Sequence, residues 1–222
     1  MIKAVIFDCD GTIVDSRHLI IPFYNWLFAE VGLDPIDETD PRAVSVCLGL
    51  PDEEVFAFFA PDPGDQRRIF DRLSELDPAD FVGELRLEPH ALEVLGELRG
   101  EYRLAIATNR GHDMTTIVRH FGFDDYVDTV VTARDVTNPK PSPDMLLLAA
   151  ERMGIPPGEA LYVGDTDVDG QAARAAGMEF LYYRRDPRAS DGSPCVDHPE
   201  PPDDCLRDLR ELPIRLNLRG SS

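Results

Sequence analysis

The chain has 222 residues, 43% of them hydrophobic, which is enough for one sizeable packed core or a core with a small additional module. Its formal net charge of −20 disfavours binding to nucleic acid or to anionic lipid, because like charges repel. Its four cysteines form no CxxC pair, which favours free thiols in a reducing compartment, and Cys195 with Cys205 is the only local pairing to check.

The first eleven residues reach acidic side chains after one short apolar run, so they do not predict a signal peptide. No apolar stretch approaches the length that spans a bilayer. We therefore expect a cytoplasmic protein with no membrane partner and no nucleic-acid partner. The oligomeric state stays open.

Short apolar runs predict strands at residues 4–7, 104–107, 127–131, 161–163 and 180–183. Their hydrophobicity is continuous rather than alternating, which is typical of strands that are buried on both faces of a parallel sheet. This pattern indicates an α/β core.

Helical patterns lie between the later strands, at residues 89–98, 114–121, 143–153 and 168–176. Ser142 and Pro143 predict the N-cap and first helical position of the third. Glycines follow three of these helices, where a left-handed residue is favoured, at positions 122, 154 and 177. The alternation of strands and helices predicts a doubly wound parallel sheet.

Residues 16–86 break this alternation. Helical patterns at 16–31, 52–60 and 65–76 follow one another with no convincing strand between them, and the segment is too long for a simple crossover. We interpret residues 16–86 as an inserted helical module, and residues 1–15 with 87–222 as the core. Near the end, the sequence predicts a helix at 205–212 and a loose tail at 217–222.

Two carboxylates follow the first predicted strand directly. Asp8 and Asp10 lie in the sequence Asp-Cys-Asp-Gly-Thr, at the edge of a parallel sheet where ligands bind. Carboxylates at this spacing can divide the work of nucleophile and acid–base catalyst. Gly11 permits a tight turn behind them.

Further polar motifs follow the later strands. Thr108 and Asn109 come after the second strand, Lys140 precedes a helix, and Asp165 and Asp169 follow the strand at 161–163. A hydroxyl, an ammonium and two carboxylate clusters at strand ends form a specific constellation.

On these four motifs, the sequence resembles the haloacid dehalogenase-like (HAD) hydrolase superfamily, most closely its phosphoglycolate-phosphatase-like branch with a helical cap of the C1 type. The resemblance extends through Tyr183, and the cap matches in position, size and helicity alone. It implies a HAD-like Rossmannoid core and Mg²⁺-dependent hydrolysis of a small phosphorylated metabolite.

The resemblance also implies a role for each motif residue. Asp8 would attack phosphorus and form an aspartyl phosphate, while Asp10 would protonate the leaving oxygen and then deprotonate the attacking water. Thr108 and Asn109 would hydrogen-bond the phosphoryl group, and Lys140 would neutralise nucleophile and phosphate.

A metal site is implied in the same way. Mg²⁺ would be held by the Asp8 carboxylate, the backbone carbonyl of Asp10 and Asp165, with Asp169 as a second ligand or as support. Hard oxygen ligands, few in number, fit Mg²⁺ better than zinc.

Departures within the superfamily narrow the function. Haloacid dehalogenases lack the carboxylate found here at Asp10, and residues 13–90 hold no lysine for the Schiff base of phosphonoacetaldehyde hydrolases. A phosphosugar mutase stays open, because His18 could serve as its cap histidine, and so does a non-catalytic phosphate-binding or partner-binding protein.

Arg110 either touches the substrate or lies at the surface. The sequence Glu-Pro-His at 88–90 departs from the Pro-Gly pair common where such cores resume.

Overall fold

The computed structural model describes residues 1–111, 113–185 and 205–220. Its strands, in chain order, are β1 (Ala4–Phe7), β2 (Val14–Asp15), β3 (Arg86–Leu87), β4 (Arg103–Thr108), β5 (Thr129–Thr132), β6 (Ala160–Gly164), β7 (Glu179–Tyr183) and β8 (Cys205–Leu206). Its α-helices are α1 (Arg17–Glu30), α2 (Pro41–Gly49), α3 (Asp52–Phe59), α4 (Pro63–Ser74), α5 (Ala79–Val82), α6 (Ala91–Leu98), α7 (Met114–Phe121), α8 (Asp144–Met153), α9 (Asp167–Ala176) and α10 (Glu211–Gly220). None of these helices combines the length and hydrophobicity that crossing a bilayer requires.

Six strands form one parallel sheet in the order β5-β4-β1-β6-β7-β8. β1 lies at its centre, where Phe7 is opposite Ile106 on one side and Val163 on the other. The predicted doubly wound α/β fold is confirmed, and each of the five predicted strands lies in this sheet. Its sixth strand, β8, was not predicted.

Alternate residues of β1 point to opposite faces of the sheet, as the pleat requires. Val5 and Phe7 belong to a cluster built with α6, α7 and α10, whereas Ala4 and Ile6 belong to a second cluster built with α8 and α9. Both faces of the strand are therefore covered by helices, which explains why its hydrophobicity is continuous.

The helices α1 to α4 share a third apolar cluster of their own, which includes Leu27, Phe28, Val55 and Phe56. The helix α2 was not predicted, although Asp40 accepts a hydrogen bond from the Arg42 amide and Pro41 stands at its first position. The helix α5 is a single turn, too short to show a period. We propose residues 16–86 as the bounds of the helical module, on the strength of this separate cluster.

A short antiparallel pair joins the two parts of the molecule. Val14 of β2 is opposite Leu87 of β3, so the chain enters and leaves the helical segment side by side. No strand was predicted within residues 16–86, but Arg86 belongs to β3. A strand of two residues is too short to show an apolar pattern in the sequence. Just beyond, His90 has the left-handed φ of 66° that usually favours glycine.

The predicted helix at 205–212 is wrong. Cys205 and Leu206 form β8, which pairs with β7, and α10 starts only at Glu211. The predicted tail from Asn217 is corrected as well, because α10 runs through Gly220 and packs Leu216 into the core. Two apolar residues are too few to show a helical or strand periodicity. The conformation of Cys205 and Leu206 therefore depends on pairing with the open edge of the sheet at β7. Cys195 lies outside the described residues.

The start of α8 also differs from the prediction. Ser142 donates a hydrogen bond of 2.8 Å to the side chain of Asp144 instead of capping a backbone amide, and Pro143 stands before the first helical residue. The three helix-ending glycines are confirmed, each with φ of 69°.

Candidate active site

The site lies where the three central parallel strands end. Asp8 follows β1, Thr108 closes β4, and Asp165 follows β6. Because β4, β1 and β6 are neighbours in the sheet, their carboxyl ends adjoin, and the side chains beyond them meet.

Lys140 is the centre of this group and is 2% exposed. Its Nζ lies 2.8 Å from Asp8 Oδ1, 2.7 Å from Asp169 Oδ1 and 2.8 Å from the Tyr162 hydroxyl. Burial alone would lower the pKa of Lys140, but the carboxylates of Asp169 and Asp8 outweigh it and raise the pKa above its ordinary value. The side chain is therefore a permanent ammonium.

Asp169 holds Lys140 in place. Its Oδ1 accepts from Lys140 and lies 2.8 Å from the Tyr162 hydroxyl, while its Oδ2 accepts from the Thr166 backbone amide at 3.0 Å and from the Thr166 hydroxyl at 2.6 Å. Burial acts to raise the pKa of Asp169, and Lys140 overrides it, so that the pKa is lowered. Both carboxylate oxygens are engaged by protein donors.

Asp8 and Asp165 are also buried carboxylates, but neighbouring cations offset the cost of their burial less completely than at Asp169. Burial raises the pKa of Asp8 well above its usual range despite Lys140, and it raises the pKa of Asp165 to about 6 despite Arg17. Arg17 Nη2 lies 2.6 Å from Asp165 Oδ2. Asp8 Oδ1 accepts no well-angled hydrogen bond, although Lys140 is close to it.

The carboxylates fit a cation site. One oxygen from each of Asp8, Asp165 and Asp169 lies within 4.8 Å of the other two. Gly11 has φ of +73°, and a Cβ there would lie 2.3 Å from Asp165 Oδ2, so the turn must be glycine for that carboxylate to approach. Three buried carboxylates that converge in this way offer the hard oxygen ligands that suit Mg²⁺.

Asp10 is held by Arg110 through two parallel contacts. Arg110 Nε lies 2.8 Å from Asp10 Oδ2 and Nη2 lies 2.7 Å from Asp10 Oδ1, while Nη1 binds Asp113. Burial would raise the pKa of Asp10, but the Arg110 guanidinium holds it below its ordinary value. In this arrangement Asp10 is a carboxylate.

The side chains of Thr108 and Asn109 form hydrogen bonds with backbone groups. The Thr108 hydroxyl accepts from the Arg110 amide at 3.1 Å. The Asn109 side chain donates to the carbonyls of Gly49 and Lys140, at 2.9 and 3.0 Å, and accepts from the Lys140 amide at 3.0 Å. Asn109 thus links Lys140 to the end of α2, and its contact with a phosphoryl group stays a prediction.

Five of the seven predicted residues line a cavity of about 280 Å³ that α1, α2 and α5 also line, namely Asp8, Asp10, Thr108, Asn109 and Lys140. Asp165 and Asp169 are not in this lining, but each has a carboxylate oxygen within 4.8 Å of one from Asp8. The contacts of Arg17, Tyr162 and Asp113 were not anticipated, and for Arg110 the sequence left substrate contact and surface position open. Arg110 and Asp10 lie 100 residues apart, and no local pattern could have paired them. The position of Arg110 next to Asn109 was the one feature of the sequence that pointed to a role for Arg110 in the site.

The fold and this centre define a parallel α/β protein with a buried lysine–carboxylate site at its strand ends. The family described as haloacid dehalogenase-like hydrolase matches residues 5–183. A phosphoglycolate phosphatase of Rhodospirillum rubrum is 32% identical over 210 residues, which cover 88% of this chain and 87% of that protein. The pyrophosphatase PpaX of Bacillus velezensis is 33% identical over 186 residues, covering 80% and 81%.

A solved structure agrees with these relatives. A HAD-superfamily hydrolase, subfamily IA, variant 1, of Geobacter sulfurreducens is 34% identical, with a TM-score of 0.70 over 97% of this chain and 96% of that one. The chain therefore belongs to the haloacid dehalogenase-like hydrolase family, and the resemblance inferred from its four motifs is confirmed. It is a hydrolase.

Proposed function

We propose that the protein is a Mg²⁺-dependent phosphatase that hydrolyses a small phosphomonoester through a phosphorylated Asp8. The observation that carries the proposal is the position of Lys140, whose ammonium lies 2.8 Å from Asp8 Oδ1 at the cavity. A fixed cation beside a carboxylate nucleophile offsets the charge of an incoming phosphate. Relatives named phosphoglycolate phosphatase and pyrophosphatase support a phosphorylated substrate.

The reaction divides into two displacements. First, an Asp8 oxygen attacks phosphorus, the bond from phosphorus to the alcohol oxygen breaks, and Asp10 gives its proton to that oxygen. Then Asp10 removes a proton from water, the water oxygen attacks phosphorus, and the bond to Asp8 breaks. Inorganic phosphate leaves, and Asp8 and Asp10 return to their starting forms.

The two displacements place different demands on Asp10. Its contacts with Arg110 favour the carboxylate, which is the form that accepts a proton from water. Donation to the leaving alcohol requires a protonated Asp10, and a protonated carboxyl gains little from a guanidinium. Asp10 must therefore take up a proton against the influence of Arg110 before the first displacement.

Asp8, the backbone carbonyl of Asp10 and Asp165 would hold Mg²⁺, which when bound supplies positive charge to the phosphoryl group. Asp169 takes the supporting role, because both of its oxygens already accept from Lys140, Tyr162 or Thr166. Arg17 would then share Asp165 with the ion.

The alternatives left open by the sequence are less well supported. His18 is exposed, lies 3.7 Å from Asp15 and does not line the cavity, so it is poorly placed to serve a phosphosugar mutase. A binding protein has no use for Asp10, and the named relatives are enzymes.

The buried thiols Cys9 and Cys47 are free, which supports the cytoplasm as location.

The test is release of inorganic phosphate from a panel of phosphomonoesters, with Mg²⁺ and with chelator, by the native chain and by Asp8→Asn. We expect release that requires Mg²⁺ and Asp8. Acid quenching during turnover, followed by peptide mass spectrometry, should show one phosphoryl group on the peptide that contains Asp8. Isomerised product without released phosphate would instead identify a mutase.

A further inference from the structure

The cavity has two unlike walls. The core side presents the charged residues around Lys140, whereas the helical module contributes mostly apolar side chains, with Asp52 and Glu84 as its charged members. The apolar wall, a name used below for these six side chains, consists of Ile20, Phe23, Trp26, Leu48, Leu50 and Phe81.

The aromatic members of the apolar wall are packed against one another. The rings of Phe23 and Phe81 meet edge to face with centroids 4.9 Å apart, and Trp26 lies 5.6 Å from Phe81 and 6.1 Å from Phe23. Edge-to-face and offset contacts at these separations are stabilising. The wall is thus a formed surface that lines the same cavity as Lys140.

In the described part of the lining, carboxylates outnumber cations. The lining includes the carboxylates of Asp8, Asp10, Asp52, Glu84 and Asp113. Among the residues that the structure describes, Lys140 and Arg110 are the cations of the lining, and each already binds two carboxylates. Lys140 lies beside Asp8, where phosphate is expected, and Arg110, the other cation of the described lining, is already paired with Asp10 and Asp113.

We propose that the leaving alcohol of the substrate is uncharged and carries an apolar, ring-sized group that packs on the apolar wall. A carboxylated leaving group such as glycolate would add negative charge to a lining in which, among the described residues, both cations are already paired with carboxylates. The inference rests on the proposed phosphatase function and names its substrate class. It separates this chain from the activity named for its Rhodospirillum rubrum relative.

The test compares kcat/KM for 2-phenylethyl phosphate, 2-phosphoglycolate and methyl phosphate, all with Mg²⁺. In each ester the leaving oxygen is attached to a saturated, unbranched carbon, so the leaving groups differ chiefly in what the cavity contacts. We expect kcat/KM for 2-phenylethyl phosphate to exceed that for 2-phosphoglycolate by at least about tenfold, which is the ratio that roughly 1.4 kcal/mol of differential binding gives.

Substitutions in the apolar wall should move this preference in opposite directions. Phe23→Leu should reduce kcat/KM several-fold more for 2-phenylethyl phosphate than for methyl phosphate, while Leu50→Lys should raise kcat/KM for 2-phosphoglycolate. Leu147→Lys, at an exposed position of α8 outside the lining, is the matched control and should alter neither. Circular dichroism establishes that each variant is folded.

The outcomes separate the two proposals. Phosphate release that depends on Asp8 but favours 2-phosphoglycolate overturns the inference about the alcohol and leaves the phosphatase standing. Folded Phe23→Leu and Leu50→Lys variants with unchanged preference overturn it too. Native chain that releases no more phosphate than Asp8→Asn, across every ester, overturns the proposed function itself.

Discussion

Lys3 and Lys140 are the only lysines of the chain, and their surroundings are opposite. Lys3 makes an exposed ion pair with Glu159, whereas Lys140 is buried between Asp8 and Asp169. We predict that Lys140→Met lowers the free energy of unfolding by about 3–5 kcal/mol at alkaline pH, because two buried carboxylates lose their cation. The loss should shrink at acidic pH, where those carboxylates can protonate.

Lys3→Met is the matched control, and we expect it to change the free energy of unfolding by less than about 1 kcal/mol. Urea unfolding of both variants at acidic and alkaline pH measures the difference. Equal losses in the two variants would contradict the role given to burial at Lys140.

Glu88 gives a prediction about pH. Burial raises its pKa to about 7 from 4.5, against the opposing influence of Arg185, and the Tyr183 hydroxyl donates to it at 2.9 Å. Between these pH values the folded chain binds more protons than the unfolded chain, so this carboxyl's stabilisation is present below pH 4.5 and is lost as pH rises through about 7.

We therefore predict that Glu88→Gln reduces the fall in unfolding free energy between about pH 5 and about pH 8 by roughly 2–3 kcal/mol. Urea unfolding at both pH values measures it, with Glu97→Gln on the exposed side of α6 as control. A fall that is unchanged in Glu88→Gln would show that Glu88 titrates normally in the folded chain.

At the scale of elements, the turn after β1 depends on Gly11. Gly11 and Gly122 have nearly the same left-handed φ, but a Cβ at Gly122 would meet no atom within 4 Å, while one at Gly11 would lie 2.3 Å from Asp165 Oδ2. We predict that Gly122→Ala costs about 1–2 kcal/mol for the backbone strain alone, with activity retained.

Gly11→Ala should lose more stability than Gly122→Ala and should also lose phosphate release, because Asp165 must move. Chemical unfolding and initial rates on both variants decide the matter. An active Gly11→Ala enzyme would show that the position of Asp165 next to the turn is not required.

The end of the chain shows how elements depend on context. The helical pattern after residue 204 is real, but it begins at Glu211, since Cys205 and Leu206 pair with the open edge of β7. Leu212 and Leu216, one helical turn apart, then bury against the core. Two apolar residues such as Cys205 and Leu206 can join either a helix or a strand, and here pairing with β7 decides for the strand.

At the scale of the whole molecule, the formal net charge of −20 repels a phosphate dianion. Salt screens such long-range repulsion more than it screens the buried contacts of Lys140. We predict that kcat/KM rises several-fold as inert salt increases from about 0.01 M to about 0.15 M at fixed saturating Mg²⁺, with kcat nearly constant. A steady fall in kcat/KM over this range would contradict it.

The sequence by itself determined the parallel α/β fold, the order of the motifs and the helical nature of residues 16–86, since these follow from local hydrophobic periods and from residues at strand ends. It also placed Asp8 and Lys140 within one constellation. The pairings of Arg17 with Asp165 and of Arg110 with Asp10 were decided by tertiary structure alone, because they join residues 148 and 100 positions apart. The same holds for the apolar wall of the cavity, since its side chains come from α1, from the end of α2 and the residue after it, and from α5, and these meet only when the helices pack together.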